Sequence, residues 1–270
     1  MGLKLIKQTV NFDDPKKHHF YYSNKNVDNG TILTFFPWNT KNRGLKGSGQ
    51  VGRIIFSVPK GSIAYWQERL TQFEVLYEVN ELFGQSIIHF DDTHSVRLAI
   101  IESKIESDNH DIIGFFGVEL LSDVPEKTRE TLVKDLGLNE LSSSEEYLRF
   151  ETVGDIKHTI LIPKETAARG RDGVGTVHHI AWSMPDEDIQ KQWQIDLLKR
   201  SYCVTDIKDR NYFKAMYMKE FGGVIFEFAT DGPGFSIDEP VDSLGQKLML
   251  PEQYEAKREE IMNNLPKFTL

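Results

Sequence analysis

The sequence predicts an α+β fold of repeated βαβββ units, four in number, the first of them shortened at its N-terminus. Three observations predict it. Strands rich in β-branched and aromatic residues recur at a fixed period, and the two ends of the unit show that period independently. A helix-start signal and an amphipathic run follow each opening strand. Turn residues then divide the chain into about three short strands before the next unit opens.

Closing strands read at residues 32–38 (ILTFFPW), 95–103 (SVRLAIIES), 158–164 (HTILIPK) and 224–230 (VIFEFAT), with starts spaced 63, 63 and 66 residues. Opening strands read at 52–59 (GRIIFSVP), 115–123 (FFGVELLSD) and 178–186 (HHIAWSMPD), spaced 63 and 63 residues. Ser62 and Asp186 read as N-caps of helices over 63–70 and 187–199, and Pro125 suits the first turn of a helix over 126–136. Leu132, Val133 and Leu136, like Trp193, Ile195 and Leu197, supply the apolar content of the later two helices. Segment 2–8 (GLKLIKQ) matches 73–80, the strand after the helix of unit two. Counting one period back places the opening strand and helix of unit one about 10 to 20 residues upstream of Met1. Chain order groups the units as 1–110 (units one and two), 111–240 (units three and four, with the site residues) and a C-terminal extension at 241–270.

Composition narrows the function. The 270 residues carry 32 Lys and Arg against 41 Asp and Glu, a net charge of −9, with no basic stretch to meet nucleic acid or an anionic membrane. Seventeen Phe, nine Tyr and four Trp mark a packed chain rather than a disordered one. The single cysteine, Cys203, forms no internal disulfide, which fits a reducing, cytoplasmic setting. No apolar run approaches the roughly 18 residues of a membrane span, and no signal-peptide pattern opens the chain. The partner these numbers leave is a small molecule or another subunit.

The repeat allows equivalent positions to be compared within one chain. The place of His179 is taken by Phe116 in unit three and Arg53 in unit two, and that of Glu227 by Leu161, Leu98 and Phe35. Only unit four carries ligand-type residues at both. Period-two alternation puts His179 on one face with Ala181 and Ser183, and His178 on the other with Ile180 and Trp182. Glu227 lies between Phe226 and Phe228, where a carboxylate must be paired, hydrogen-bonded, protonated or bound to a cation. If residues 221–223 (FGG) close a three-residue hairpin, Tyr217 stands opposite Glu227. Arg210 lies where the chain enters that strand, within reach of a bound anion. A strand histidine alone is more often a satisfied core or edge residue than a metal ligand, and the argument rests on both ligand types meeting in one unit. His18, His19, His89, His94, His110 and His158 show no such selectivity and read as surface or packing residues. Residues 164–175, with Arg169, Arg171 and three glycines, read as a solvated connection rather than a flap.

Together with the four units, the segments TVNFDDPKKHHFYY (9–22), GTILTFFPW (30–38), GTVHHIAWSMPD (175–186) and GGVIFEFATDGPGF (222–235) resemble the ring-cleaving, extradiol-type dioxygenases of the vicinal oxygen chelate (glyoxalase/bleomycin-resistance) superfamily, nearest to hydroquinone 1,2-dioxygenases. The resemblance runs from Gly2 to the C-terminus. It implies a mononuclear Fe(II), or Mn(II) or another divalent ion, held by two His and one Glu with positions open for an aromatic substrate and O₂. Carried over, His179 resembles one histidine ligand and Glu227 the carboxylate ligand. His178 resembles an acid/base histidine, Tyr217 the tyrosine near the substrate oxygen and Arg210 the arginine that orders the site. The first histidine ligand belongs to the strand expected before Met1, a departure that bears on metal binding. The implied function is opening of hydroquinone- or catechol-type rings with O₂ by a cytoplasmic homo-oligomer. A glyoxalase-type metal-dependent lyase or isomerase, and a non-catalytic small-molecule-binding protein with an incomplete metal site, stand as alternatives.

Overall fold

The apolar runs fold into three sheets in the computed structural model, which describes residues 1–37 and 42–268. Unit one gives β1 (Lys4–Asn11), β2 (Asp14–Ser23) and β3 (Leu33–Phe35). Unit two gives β4 (Gln50–Val58), α1 (Ile63–Gln72), β5 (Tyr77–Leu82), β6 (Gln85–Asp91) and β7 (Arg97–Glu102). Unit three gives β8 (Gly114–Leu121), α2 (Pro125–Glu130) with a π-helical turn at Thr131–Asp135, β9 (Asn139–Leu141), β10 (Tyr147–Glu151) and β11 (Thr159–Pro163). Unit four gives β12 (Ile180–Met184), α3 (Glu187–Lys199), β13 (Lys208–Asp209), β14 (Phe213–Lys219) and β15 (Ile225–Pro233). The βαβββ order therefore holds in units two to four. Trp38, the end of the first closing strand read from the sequence, lies outside the described residues.

Within each of these three units the opening strand pairs in parallel with the closing one: β4 with β7, β8 with β11, β12 with β15. Units two and three share one eight-stranded sheet, ordered β5-β6-β7-β4-β8-β11-β10-β9 and joined by the antiparallel β4–β8 pair. That sheet runs across the 110/111 boundary set by chain order. The reason is burial: β4 is nearly all buried, and a buried strand must satisfy its backbone on both edges. Unit one forms a separate three-stranded sheet, β1-β2-β3, and unit four a four-stranded one, β12-β15-β14-β13.

One face of the eight-stranded sheet packs Ile54, Phe56, Ile88 and Ile100 against Trp66 and Leu70 of α1. In unit four, Leu197 of α3 packs on Met216, Phe226 and Phe228. Asp186 caps α3 as its sequence suggests, accepting from the Ile189 amide at 2.8 Å. Pro125 opens α2. Ser62 does not cap α1, because its hydroxyl meets His110 Nδ1 at 3.0 Å and the Glu102 carboxylate accepts the Ile63 amide at 2.9 Å instead. Residues 164–175 are held as a connection. Their backbone zips onto residues 42–48 through Leu45 and Arg171, Ser48 and Gly170, and Gly44 and Val174. A side chain at Gly47 would collide with the Ala168 carbonyl, so the zipper needs glycine there. No helix among the described residues is long and apolar enough to cross a membrane.

The C-terminal segment is locked on by one buried cation. Lys7 on β1 is fully buried, and its ammonium reaches Asp238 and Glu239 at 2.5 Å each, 4.8 Å from the centre of the Tyr212 ring. Tyr212 in turn donates to Asp238 at 2.8 Å. Beyond it, Leu250, Ile261 and Leu265 close over Val10, with α4 (Glu252–Glu255) and α5 (Arg258–Asn264) supplying the last turns. Lys7→Met leaves both carboxylates facing an apolar group, and should destabilise the fold by about 3–5 kcal/mol, read as a lowered urea midpoint. A midpoint within error of the parent would mean that the cluster does not hold the segment.

Candidate active site

Strand alternation and hairpin register assemble the site in unit four. In the β12–β15 pair, Ala181 stands opposite Glu227, so the chain just ahead of β12 brings His179 toward the same face. In the β14–β15 hairpin, Tyr217 stands opposite Glu227, as the three-residue turn requires. Glu227 is 4% exposed. Its Oε2 lies 2.6 Å from His179 Nε2, and its Oε1 accepts from the Tyr217 hydroxyl at 3.0 Å. His178 and His179 precede the first residue of β12 instead of lying within it, and their Nδ1 atoms are 2.8 Å apart. With Glu227 taking the His179 Nε2–H, the bare Nδ1 of His179 is the acceptor and His178 Nδ1–H the donor.

Arg210 lies between β13 and β14, its side chain 12% exposed. Its guanidinium pairs with Asp13 of the β1–β2 turn at 2.9 Å and also donates to Tyr217. Hydrogen bonding to Arg210 holds the Asp13 carboxyl below its ordinary range. Burial, then the Glu227 charge, pushes the Tyr217 phenol well up, so it stays a proton donor. His178 is held below its ordinary value, first by burial and then by His179, and is a neutral base near pH 7. All five residues singled out in the sequence thus meet in one place.

The structure adds two that the sequence reading assigned to packing or passed over. β2 lies against unit four and brings His19 and Tyr21 to the cluster. His19 is stacked between Tyr21 and Phe36, with ring centres 4.0 and 3.9 Å away, and its buried Nε2 has no partner among the described groups. Burial, then the charges of His179 and Arg210, drives its pKa down to about 3. The Tyr21 hydroxyl is likewise buried and unpartnered, within electrostatic reach of Glu227 and Tyr217. The available signal was alternation in the HHFYY run, which puts His19 and Tyr21 on one face of β2.

The internal comparison also shifts by one residue. Leu161 pairs with Glu119, so Gly117, not Phe116, takes the place of His179 in unit three. Ile55 pairs with Ala99, so Ala99, not Leu98, takes the place of Glu227 in unit two. A side chain at Gly117 would strike the Thr159 carbonyl, so that position can carry no ligand. The conclusion that unit four alone bears both ligand types stands. Among the described residues no group of three or more His, Cys, Asp or Glu is placed to hold a metal ion.

No protein-family model matches the chain. It is 43% identical over 278 residues to a Bacillus subtilis protein named "Putative ring-cleaving dioxygenase MhqO", covering 99% of this chain and 89% of that one. It is 26% identical over 285 residues to the chlorohydroquinone/hydroquinone 1,2-dioxygenase of Sphingobium indicum, covering 98% and 88%. The crystal structure of a "putative dioxygenase" from Bacillus subtilis superposes with a TM-score of 0.95 at 43% identity, covering 99% of this chain and 90% of that one. Glyoxalase I from Zea mays superposes with a TM-score of 0.64 at 11% identity, covering 85% and 84%, and shares the vicinal oxygen chelate fold.

The burial of neutral His19 makes stability depend on pH. The unfolded chain binds a proton at this residue below about pH 6.5, whereas the folded chain resists it down to about pH 3. Stability contributed by neutral His19 is complete above 6.5 and is lost as pH falls through that window, with a slope of up to about 1.4 kcal/mol per pH unit. His19→Gln removes the titration. Its unfolding free energy between pH 6 and 5 should fall less steeply than the parent's, by close to one proton, and equal slopes would refute the assignment.

Proposed function

The chain belongs to the family of ring-cleaving dioxygenases, and from that premise we propose that it opens hydroquinone- or catechol-type rings with O₂ at an Fe(II) held by His179 and Glu227. One observation carries the reading: an imidazole and a buried carboxylate are brought to 2.6 Å from each other. The donor types suit a divalent ion, one imidazole nitrogen and one carboxylate oxygen on a common side, and such an ion would replace the proton that His179 Nε2 now donates to Glu227. The His19 Nε2 and Tyr21 hydroxyl nearby are polar atoms without a hydrogen-bond partner among the described residues. Such an ion supplies Lewis acidity toward a ring hydroxyl and a path for electrons to O₂.

The chain's own groups do the rest. His178, neutral, takes the proton from a ring hydroxyl and passes it to water. Tyr217 keeps its proton and fixes Glu227 through Oε1, leaving Oε2 toward the site. Arg210, positioned by Asp13, puts a permanent positive charge beside Tyr217, where negative charge grows on oxygen during ring opening. Tyr21, Phe213 and Phe235 pack together on the unit-one side and keep bulk water out.

Protein loaded with Fe(II) under anaerobic conditions and then given O₂ should consume it in proportion to added hydroquinone or catechol. Glu227→Gln should abolish uptake, and Arg210→Met should lower kcat by about 100-fold. Absence of substrate-dependent uptake by the loaded, folded protein would sink the reading.

A further inference from the structure

The turn that joins β14 to β15 encloses a carboxylate that ring opening does not use. Glu220 is 2% exposed, and it accepts from three neutral donors: the Gly222 amide at 2.7 Å, the Val224 amide at 2.9 Å and the Thr128 hydroxyl at 2.8 Å. Burial raises its pKa, and these bonds draw it back only in part. A buried charge held by neutral groups is costly to keep. The turn shows what it does there. The Glu220 carbonyl takes the Gly223 amide at 2.9 Å, and the Glu220 amide donates to the Val224 carbonyl at 3.0 Å. The side chain takes the Gly222 and Val224 amides, one on each carboxylate oxygen. A glutamine in its place would turn an NH₂ group toward one of these N–H donors.

The turn is also gripped from unit three. Thr128 of α2 is fully buried, and its hydroxyl lies 2.7 Å from that of Ser122, just after β8. The Asp123 amide donates to the Gly222 carbonyl at 2.8 Å. A side chain at Gly222 would strike the Ser122 and Thr128 hydroxyls, so glycine is what lets the turn come this close. Arg169, paired with Asp123, fills the place where a side chain at Gly223 would stand. Tyr217 and Glu227 face each other on the two arms that leave this turn. A turn one residue shorter or longer would set Tyr217 against Phe226 or Phe228 and carry its hydroxyl away from Glu227.

We propose that Glu220 is a positioning residue for the active site: held by Thr128, its carboxylate fixes the turn and, through the turn, the hydrogen bond from Tyr217 to Glu227. The role in catalysis rests on the ring-opening reading, whereas the contact that Glu220 controls does not. Met216, Met218, Phe226 and Phe228 bury the other face of the hairpin and keep the strands paired without the clamp. Loss of Glu220 therefore shifts the arms and leaves Glu227 Oε1 without its donor.

The test is NMR of the full chain carrying isotope-labelled tyrosine, whose Cζ signal reports what the hydroxyl bonds to. The Tyr217 signal is the one missing from Tyr217→Phe, and Glu227→Ala gives its position without a carboxylate partner. Glu220→Gln should move the Tyr217 signal most of the way to that position. Thr128→Val should move it in the same direction by less, and Thr128→Ser, which keeps the hydroxyl, should leave it in place. In the Fe(II)-loaded chain, Glu220→Gln should lower kcat by about tenfold or more, yet leave the kcat of Tyr217→Phe unchanged. If the parent shows no substrate-dependent O₂ uptake, the ring-opening reading falls and the tyrosine signal alone decides on Glu220. If Glu220→Gln fails to fold, Thr128→Val decides on the same signal. An unmoved Tyr217 signal in the folded variant, even with a lowered urea midpoint, marks a turn cap without influence on the site and would overturn the proposal. So would Thr128→Ser moving the signal as far as Thr128→Val does.

Discussion

A carboxylate buried in an apolar strand constrains everything around it. Glu227 lies between Phe226 and Phe228 in β15, on the face opposite the one they pack beneath α3, and is 4% exposed, where a bare charge would cost several kcal/mol. Each of its oxygens therefore needs a partner, and each partner must come from a different element. The β14–β15 hairpin supplies Tyr217, and the chain entering β12 supplies His179. A slip of one residue in either pairing would turn Glu227 or its partner to the opposite face. The site residues are thus also what locks the register of the sheet, and function and folding ask the same of the sequence at this point.

The next layer extends that demand outward. Tyr217 is shared between Glu227 and Arg210, Arg210 between Tyr217 and Asp13, and Asp13 sits in the turn that joins β1 to β2. This chain of charge-assisted bonds ties unit four to unit one, which shares no sheet with it. The same turn sets where β2 lies, and β2 carries His19 and Tyr21. His19 lies within electrostatic reach of His179, and Tyr21 of Glu227. Lys7 with Asp238 and Glu239 repeats the device on the far side of β1.

What the sequence disclosed follows the range of the interactions. Hairpin arithmetic placed Tyr217 opposite Glu227 because a short turn leaves the register little freedom. Asp186 announced its helix because capping acts within three residues. The 63-residue period exposed the βαβββ order because each unit packs the same way on its own helix. Ser62 misled because a carboxylate from β7, distant in sequence, took the helix end. The one-residue offsets at Gly117 and Ala99 were hidden because the opening and closing strands of a unit are far apart in sequence, and only their parallel pairing shows which residues stand opposite. The eight-stranded sheet across units two and three, and the arrival of His19, depend on contacts between units, for which a repeat read along one chain carries no signal.

The two concave faces show what a repeated scaffold permits. Both come from the same parallel pairing of opening and closing strands, and both present side chains at matching register positions. In the half containing unit four those positions hold imidazole, carboxylate and phenol, groups that can accept a cation and steer a proton. In the other half they hold the guanidinium groups of Arg53 and Arg149, which can only donate and repel cations. Once Arg53 stands where His179 stands in its counterpart, no divalent ion can be retained there. Fold and function separate at single residues on a shared framework, and the chemistry of each face has to be read from its own charge balance.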